Sequence, residues 1–105
     1  MKRVLPLLAA LALLAGCGKS APRTEAQQGQ TIYSLHCTAC HNPNPKQDGS
    51  LGPALAGSSL DMLLARVMRG EYPPGYAPKR STHIMQPLPL TEEEVKSLHA
   101  YLNSL

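Results

Sequence analysis

The sequence contains no tryptophan and no phenylalanine, so four tyrosines are its only aromatic residues. Aromatic side chains supply much of the apolar area that a small domain buries. A chain of 105 residues forms one small domain at most, with a core that is limited from the outset. We therefore expect another bulky apolar body, either a cofactor or a covalent staple, to complete the core.

The sequence also lacks a large excess of charge. Only 16% of the residues are charged, and the formal net charge is +3. Domains that bind nucleic acids carry a clustered basic excess, because they must neutralise several phosphates. The composition therefore does not predict a nucleic-acid partner.

The longest apolar run is too short to span a membrane. Lys2 and Arg3 precede an uncharged apolar stretch over residues 4–15, whereas a transmembrane helix needs about 20 such residues. Basic residues followed by a short apolar run and small residues are typical of a signal peptide. We predict that residues 1–16 are a signal peptide that is removed on maturation.

The residue after the predicted cut is Cys17. The segment Leu14-Ala15-Gly16-Cys17 resembles the bacterial lipobox, in which the cysteine is acylated and becomes the new N-terminus. Several acyl chains hold a protein stably on a membrane. The alternative is an ordinary secretory peptide cleaved nearby, with Cys17 left as a thiol. Gly18 is not the aspartate of an inner-membrane retention signal, so we expect an outer-membrane anchor and a periplasmic location.

The alternating pattern of β-strands is missing as well, and three segments instead show helical spacing of apolar residues. These are residues 29–36, residues 60–69 after the N-cap residue Ser59 and before the stop signal Gly70, and a C-terminal helix that follows the capping box of Thr91 and Glu94. Proline-rich loops cover residues 42–57 and 71–90. The predicted fold is all-α, with three main helices and long loops.

Small polar residues without apolar periodicity precede the first of these helices. We predict that residues 17–28 form the lipidated N-terminus and a flexible tether, and that residues 29–105 form the folded domain. Loops as long as the two predicted here are uncommon in so small a domain unless they serve a function, such as enclosing a bound group.

The segment Cys37-Thr38-Ala39-Cys40-His41 has the pattern of covalent c-type haem attachment. Two thiols three positions apart can add across the two vinyl groups of one haem, and the following imidazole then lies under the iron. Two other interpretations remain open. A redox dithiol of the thioredoxin type needs a strand leading into its helix, and a zinc site needs a second pair of ligands, whereas His83 and His99 are not paired.

With this motif, residues 29–105 resemble a small class I, single-haem cytochrome c. The resemblance rests on residues of the first helix, the haem motif, a Gly-Pro segment, one methionine and the last helix: Gly29, Tyr33, Cys37-Thr38-Ala39-Cys40-His41, Gly52-Pro53-Ala54-Leu55, Met85, Leu90-Thr91, Leu98 and Tyr101-Leu102. The sequence departs from the common Met-Pro pair, because Gln86 separates Met85 from Pro87. We expect the ligand loop to differ locally.

The resemblance implies loops and helices wrapped around one haem c, attached through Cys37 and Cys40 and ligated by His41. It also implies that the carbonyl of Pro53 bonds to the other ring nitrogen of His41. Such a bond fixes the orientation of the ring and tunes its basicity as a ligand. The first and last helices are expected to cross where Gly29 meets Tyr101.

The second axial ligand is predicted to be Met85. It lies in the irregular loop before the last helix, where the chain can cross the far face of the haem. Met62 and Met68 lie within a predicted helix, where methionine usually packs. His83 is the main rival, and a bis-histidine site would have a lower potential than a His–Met site.

These residues predict an electron carrier and not an enzyme, with a redox protein as donor and another as acceptor. The alternatives are a haem subunit of a larger oxidoreductase and a ligand-binding or peroxidase-like protein with an open or displaceable sixth site. The chain is expected to be a monomer or a subunit of a complex. Two interpretations are open for a set of cations and tyrosines, namely solvated or packed side chains, or a docking surface with donors to the haem propionates: Arg66, Arg69, Lys79, Arg80, Tyr72 and Tyr76.

Overall fold

A computed structural model of the chain describes residues 21–105. Its helices are α1 (Glu25–His36), α2 (Leu60–Leu63), which continues as a π-helical stretch (Leu64–Arg69), and α3 (Glu92–Leu102). No strand occurs within the described residues. The all-α prediction is therefore confirmed, whereas the predictions of a signal peptide and of lipidation at Cys17 lie outside residues 21–105.

Helix α1 begins four residues earlier than the sequence analysis predicts. Thr24 is its N-cap: the Thr24 hydroxyl accepts from the Gln27 backbone N–H, and the Gln27 side chain accepts from the Thr24 backbone N–H. This reciprocal pair satisfies two of the donors that a helix start leaves free. Residues 25–28 are helical, so the prediction of a flexible tether is wrong for them.

The second helical segment starts and ends as predicted but changes its winding. Ser59 caps α2 by accepting from the Met62 backbone N–H, and Gly70 ends the π-helical stretch with a left-handed φ of 67°. The change from α to π winding at Leu64 was not expected. Such stretches are rare and frequently mark functional sites. Residues 71–90 form an irregular loop, as the prolines predict.

Helix α3 crosses α1 at a glycine. A Cβ at Gly29 would collide with the Ser97 carbonyl oxygen and lie 2.8 Å from the Tyr101 Cβ, so only glycine lets the backbones approach this closely. Beside the crossing, the rings of Tyr33 and Tyr101 pack with centroids 5.7 Å apart. The contact expected between Gly29 and Tyr101 is confirmed.

The predicted capping box of α3 is present, with Thr91 and Glu94 each accepting from the other's backbone N–H. The hydrogen bond that the Thr91 backbone N–H donates to the Glu94 carboxylate lowers the pKa of that carboxyl.

The buried core lies where α1, α3 and the second helical segment meet. Its members are Tyr33, Cys37, Leu63, Val67, Leu90, Val95, Leu98 and Leu102. Leu63 and Leu98 also line a cleft beside this core. Among residues 21–105, none of the helices has the length and apolar character needed to traverse a bilayer.

Candidate haem-binding site

The three residues of the attachment motif are placed by the end of α1. Cys37 caps the helix, with its backbone N–H donating to the Tyr33 carbonyl. The chain then turns tightly, because the backbone N–H groups of Cys40 and His41 both donate to the Cys37 carbonyl, at 3.3 and 2.9 Å. This turn brings all three side chains to one cleft, and both thiols are free.

The imidazole of His41 is buried and held in one orientation. Its Nδ1 lies 2.8 Å from the Pro53 carbonyl oxygen, and because a carbonyl can only accept, Nδ1 carries the proton and donates. Nε2 makes no hydrogen bond within the described part of the chain and remains available as a ligand atom. The bond between Pro53 and His41 that the resemblance implied is confirmed.

Gly52 gives the ring of His41 its space. A Cβ at this position would stand 2.5 Å from His41 Nδ1 and 2.9 Å from Nε2, which real structures do not tolerate. The backbone N–H of Gly52 donates to the Cys40 carbonyl at 3.0 Å, which ties the glycine to the motif. The family resemblance implied a role only for the proline of the Gly-Pro segment, so this function of Gly52 was missed.

The cleft has a volume of about 940 Å³ including its open mouth. Its walls are mainly apolar side chains of the core and the loops, among them Leu55, Leu63, Val67, Leu98 and Ile84. A mainly apolar cleft with a few polar side chains is suited to a flat apolar ligand with a few polar groups.

The structure separates the candidate sixth ligands. Met85 is half-buried and lines the cleft, as does Met62, whereas Met68 packs against the core elsewhere. His83 is exposed and does not contribute to the cleft. Met85 comes from the irregular loop and Met62 from helix α2, so the two thioethers reach the cleft from different elements.

Three of the four cations considered in the sequence line the cleft, and no acidic side chain of residues 21–105 does so. Lys79 Nζ donates to the Ala54 carbonyl at 3.2 Å, and an Arg80 N–H donates to the Gly49 carbonyl at 3.4 Å. The third is Arg66, in the π-helical stretch. Arg69 lies outside the cleft and pairs with Glu71 at 3.5 Å.

The two tyrosines of the loop also line the cleft. Tyr72 and Tyr76 stack on one another with ring centroids 5.5 Å apart and planes 9° from parallel. A cleft that is lined by cationic side chains, and by no carboxylate from residues 21–105, favours a ligand that carries acidic groups.

The two alternative interpretations of the cysteines receive no support from their surroundings. Burial raises the pKa of the Cys37 thiol to about 11, whereas a reactive dithiol requires a lowered pKa. Within residues 21–105, no group of three or more His, Cys, Asp or Glu side chains could hold a metal ion. A zinc site formed around Cys37 and Cys40 would therefore lack its further ligands in this part of the chain.

The residues present suit haem c. Cys37 and Cys40 offer two free thiols at the edge of an apolar cleft, and His41 offers an oriented nitrogen. Met85 adds a soft sulfur, and imidazole nitrogen and thioether sulfur are the axial ligands of many c-type cytochromes. The two carboxylates of haem match the cationic mouth.

A family model described as Cytochrome c matches residues 26–105, more than half of the chain. No curated protein and no solved structure matched the chain. The match begins within α1 and includes the attachment motif, Pro53 and Met85. The chain therefore belongs to the cytochrome c family and carries haem c bound covalently through Cys37 and Cys40.

Proposed function

We propose that this protein is a membrane-anchored, periplasmic electron carrier of the class I, single-haem type, with His41 and Met85 as the two axial ligands. The observation that supports this most is the shared cleft. It brings the thioether of Met85, from a loop remote in sequence, to the same apolar space as the oriented imidazole of His41.

The bound haem c supplies a one-electron couple between ferrous and ferric iron. The protein's part is to hold its own ligand atoms in place. The Pro53 carbonyl fixes the ring of His41, the space at Gly52 admits that ring, and apolar loop side chains line the cleft. A site that is held rigidly in both oxidation states rearranges little during transfer, which suits a carrier better than a site that must admit a substrate.

Carbon monoxide tests this function on the purified haem protein. Because Met85 occupies the sixth position in our proposal, the ferrous protein should bind carbon monoxide slowly and weakly, and a redox titration should show one reversible one-electron wave. Rapid formation of a carbon monoxide adduct by the wild-type protein would indicate an open site and contradict the carrier assignment. The peroxidase-like or gas-binding alternative would then be favoured.

The location is proposed from the N-terminal sequence, where a short apolar leader ends in the lipobox-like Leu14-Ala15-Gly16-Cys17. An acylated Cys17 would place the domain on a membrane surface facing the periplasm, with Gly18 favouring the outer membrane. Donor and acceptor would then be redox proteins that reach the domain in this compartment.

Replacing the cysteine tests the anchor. Cys17→Ser removes the acylation site, so the haem-stained protein should move from washed membranes to the soluble periplasmic fraction. Haem content should not change, because Cys17 is distant in sequence from the attachment motif. Variant protein that still pellets with membranes to the wild-type extent would refute lipid anchoring through this residue.

A further inference from the structure

Arg66 lies in the π-helical stretch, and its guanidinium joins three separate parts of the site. One N–H group donates to the Gly70 carbonyl at 2.8 Å, and another lies 3.4 Å from the carbonyl oxygen of Met85. The guanidinium carbon also lies 4.5 Å from the ring centroid of Tyr72. Arg66 thus links the end of its own helix, the proline-rich loop and the residue that carries the candidate ligand sulfur.

The segment that carries Met85 has few other attachments. No backbone–backbone hydrogen bond within the described residues involves positions 77–87; the next one along the chain is from Leu88 to the Val67 carbonyl. Side-chain donors therefore secure this stretch. Lys79 and Arg80 attach its beginning to the loop around Pro53, and Arg66 attaches its end at Met85.

The chemistry of Arg66 suits this role. A guanidinium presents five N–H donors in a rigid plane, so it can donate to two carbonyls while its face rests on an aromatic ring. No carboxylate pairs with Arg66 among residues 21–105, since the ion pairs found there involve Arg69 and Lys96. The half-buried charge is instead stabilised by carbonyl dipoles and by Tyr72.

We propose that Arg66 is a positioning residue that holds the Met85 segment closed over the cleft, with Tyr72 as the platform that orients the guanidinium. This inference rests on the proposed ligation by Met85. Moving Met85 away from the cleft would break the hydrogen bond from Arg66 to its carbonyl. Arg66 therefore lowers the population of the open form in which the sixth position is free.

Added imidazole measures that population in the ferric haem protein. Imidazole competes with the Met85 sulfur, so its apparent affinity is proportional to the fraction of molecules in the open form. The hydrogen bond from Arg66 to the Met85 carbonyl is long at 3.4 Å, so its loss in Arg66→Gln should raise that affinity roughly three- to tenfold. The matched control is Arg69→Gln, three positions along the same π-helical stretch, where the side chain is exposed and pairs with Glu71. It should leave imidazole affinity within about twofold of wild type, as expected for a surface ion pair.

Two further variants separate geometry from charge. Arg66→Lys keeps the charge but not the planar fork, so its imidazole affinity should lie closer to that of Arg66→Gln than to wild type. Tyr72→Leu removes the platform and should raise the affinity in the same direction by a smaller factor. Both variants test the role of Arg66 even if Arg66→Gln does not fold.

The outcomes distinguish ligation by Met85 from the positioning role of Arg66. A wild-type ferric spectrum without a sulfur-to-iron band would overturn ligation by Met85, and the role of Arg66 with it. A wild-type spectrum with that band, together with an unchanged imidazole affinity in Arg66→Gln, would overturn the role of Arg66 alone. A wild-type imidazole affinity in Arg66→Lys would also overturn the role of Arg66, because the charge without the planar fork would then suffice.

Discussion

Two adjacent residues set the environment of His41, one by accepting a hydrogen bond and the other by leaving space for the ring. Pro53 supplies a carbonyl 2.8 Å from Nδ1, which fixes the tautomer and leaves Nε2 available as a ligand atom. Gly52 has no side chain, and a Cβ at this position would overlap the imidazole. The family resemblance implied the first role. The steric role of Gly52 depends on the distance between two chain segments, which no pattern in one sequence reveals.

Gly52→Ala tests the steric role of this position. The added methyl group would press on the imidazole, so the hydrogen bond from His41 to Pro53 should weaken and the stability of the haem protein should fall by about 1–3 kcal/mol. Weaker donation from His41 should also raise the midpoint potential, because a less basic imidazole stabilises ferric iron less. Denaturant unfolding and a redox titration measure the two effects.

Gly57→Ala is the matched control for that experiment. Gly57 has a left-handed φ of 80° and open space where a Cβ would be. Its replacement should lower stability through backbone strain but leave the midpoint potential unchanged. Equal shifts of potential in the two variants would contradict a specific contact between Gly52 and His41.

Among the helices, termini with strong side-chain signals could be predicted from the sequence. Ser59 and Gly70 bound the second segment, and Thr91 begins α3 with its capping box, all as predicted. The start of α1 was missed because Thr24 and Gln27 form a capping box without an apolar run behind it. The π winding after Leu64 was missed because the apolar spacing of this segment is also compatible with an α-helix throughout.

Tyr33 links α1 to α3 and to the loop after the attachment motif. Its titration makes the free energy of unfolding depend on pH in the alkaline range. Its hydroxyl donates to the Asn42 carbonyl, and burial is the main cause that raises its pKa from 10.0 to about 12. The folded state therefore holds this proton more tightly than the unfolded state. Its contribution to stability is complete below about pH 10 and is lost as the pH rises through about 12.

Tyr33→Phe should separate the effect of the hydrogen bond at neutral pH from the effect of the raised pKa at alkaline pH. At neutral pH the variant should be less stable by about 1–3 kcal/mol, because the Asn42 carbonyl loses its buried donor. Between about pH 10 and about pH 12 the difference between the two haem proteins should narrow, since only the wild type carries the raised pKa. Denaturant unfolding across this range measures it, with Tyr101→Phe as a control that keeps Tyr33. Parallel curves for wild type and Tyr33→Phe would refute the linkage.

At the scale of the whole molecule, the missing large aromatics and the long loops have one explanation. The core contains Tyr33 as its largest fully buried side chain, and an open apolar cleft lies beside that core. The haem c of this family completes such a core, and the loops provide the walls. Composition and the attachment motif were sufficient to predict this arrangement. The approach of Arg66, Lys79 and Arg80 to backbone carbonyls around the cleft could not be predicted, because it depends on how the two loops fold against each other.

Our proposal assigns the iron ligands of the bound haem to Met85 and to the oriented His41, a pair that suits an electron carrier. The sulfur-to-iron charge-transfer band of the ferric protein, recorded at long wavelength for wild type, Met85→Ala and Met62→Ala, tests this most directly. Met62 is the stringent control because it lines the same cleft. We predict that the band is present in wild type, remains in Met62→Ala and is absent from Met85→Ala. A band that survives in Met85→Ala and disappears in Met62→Ala, or one that is absent from wild type, would contradict the account.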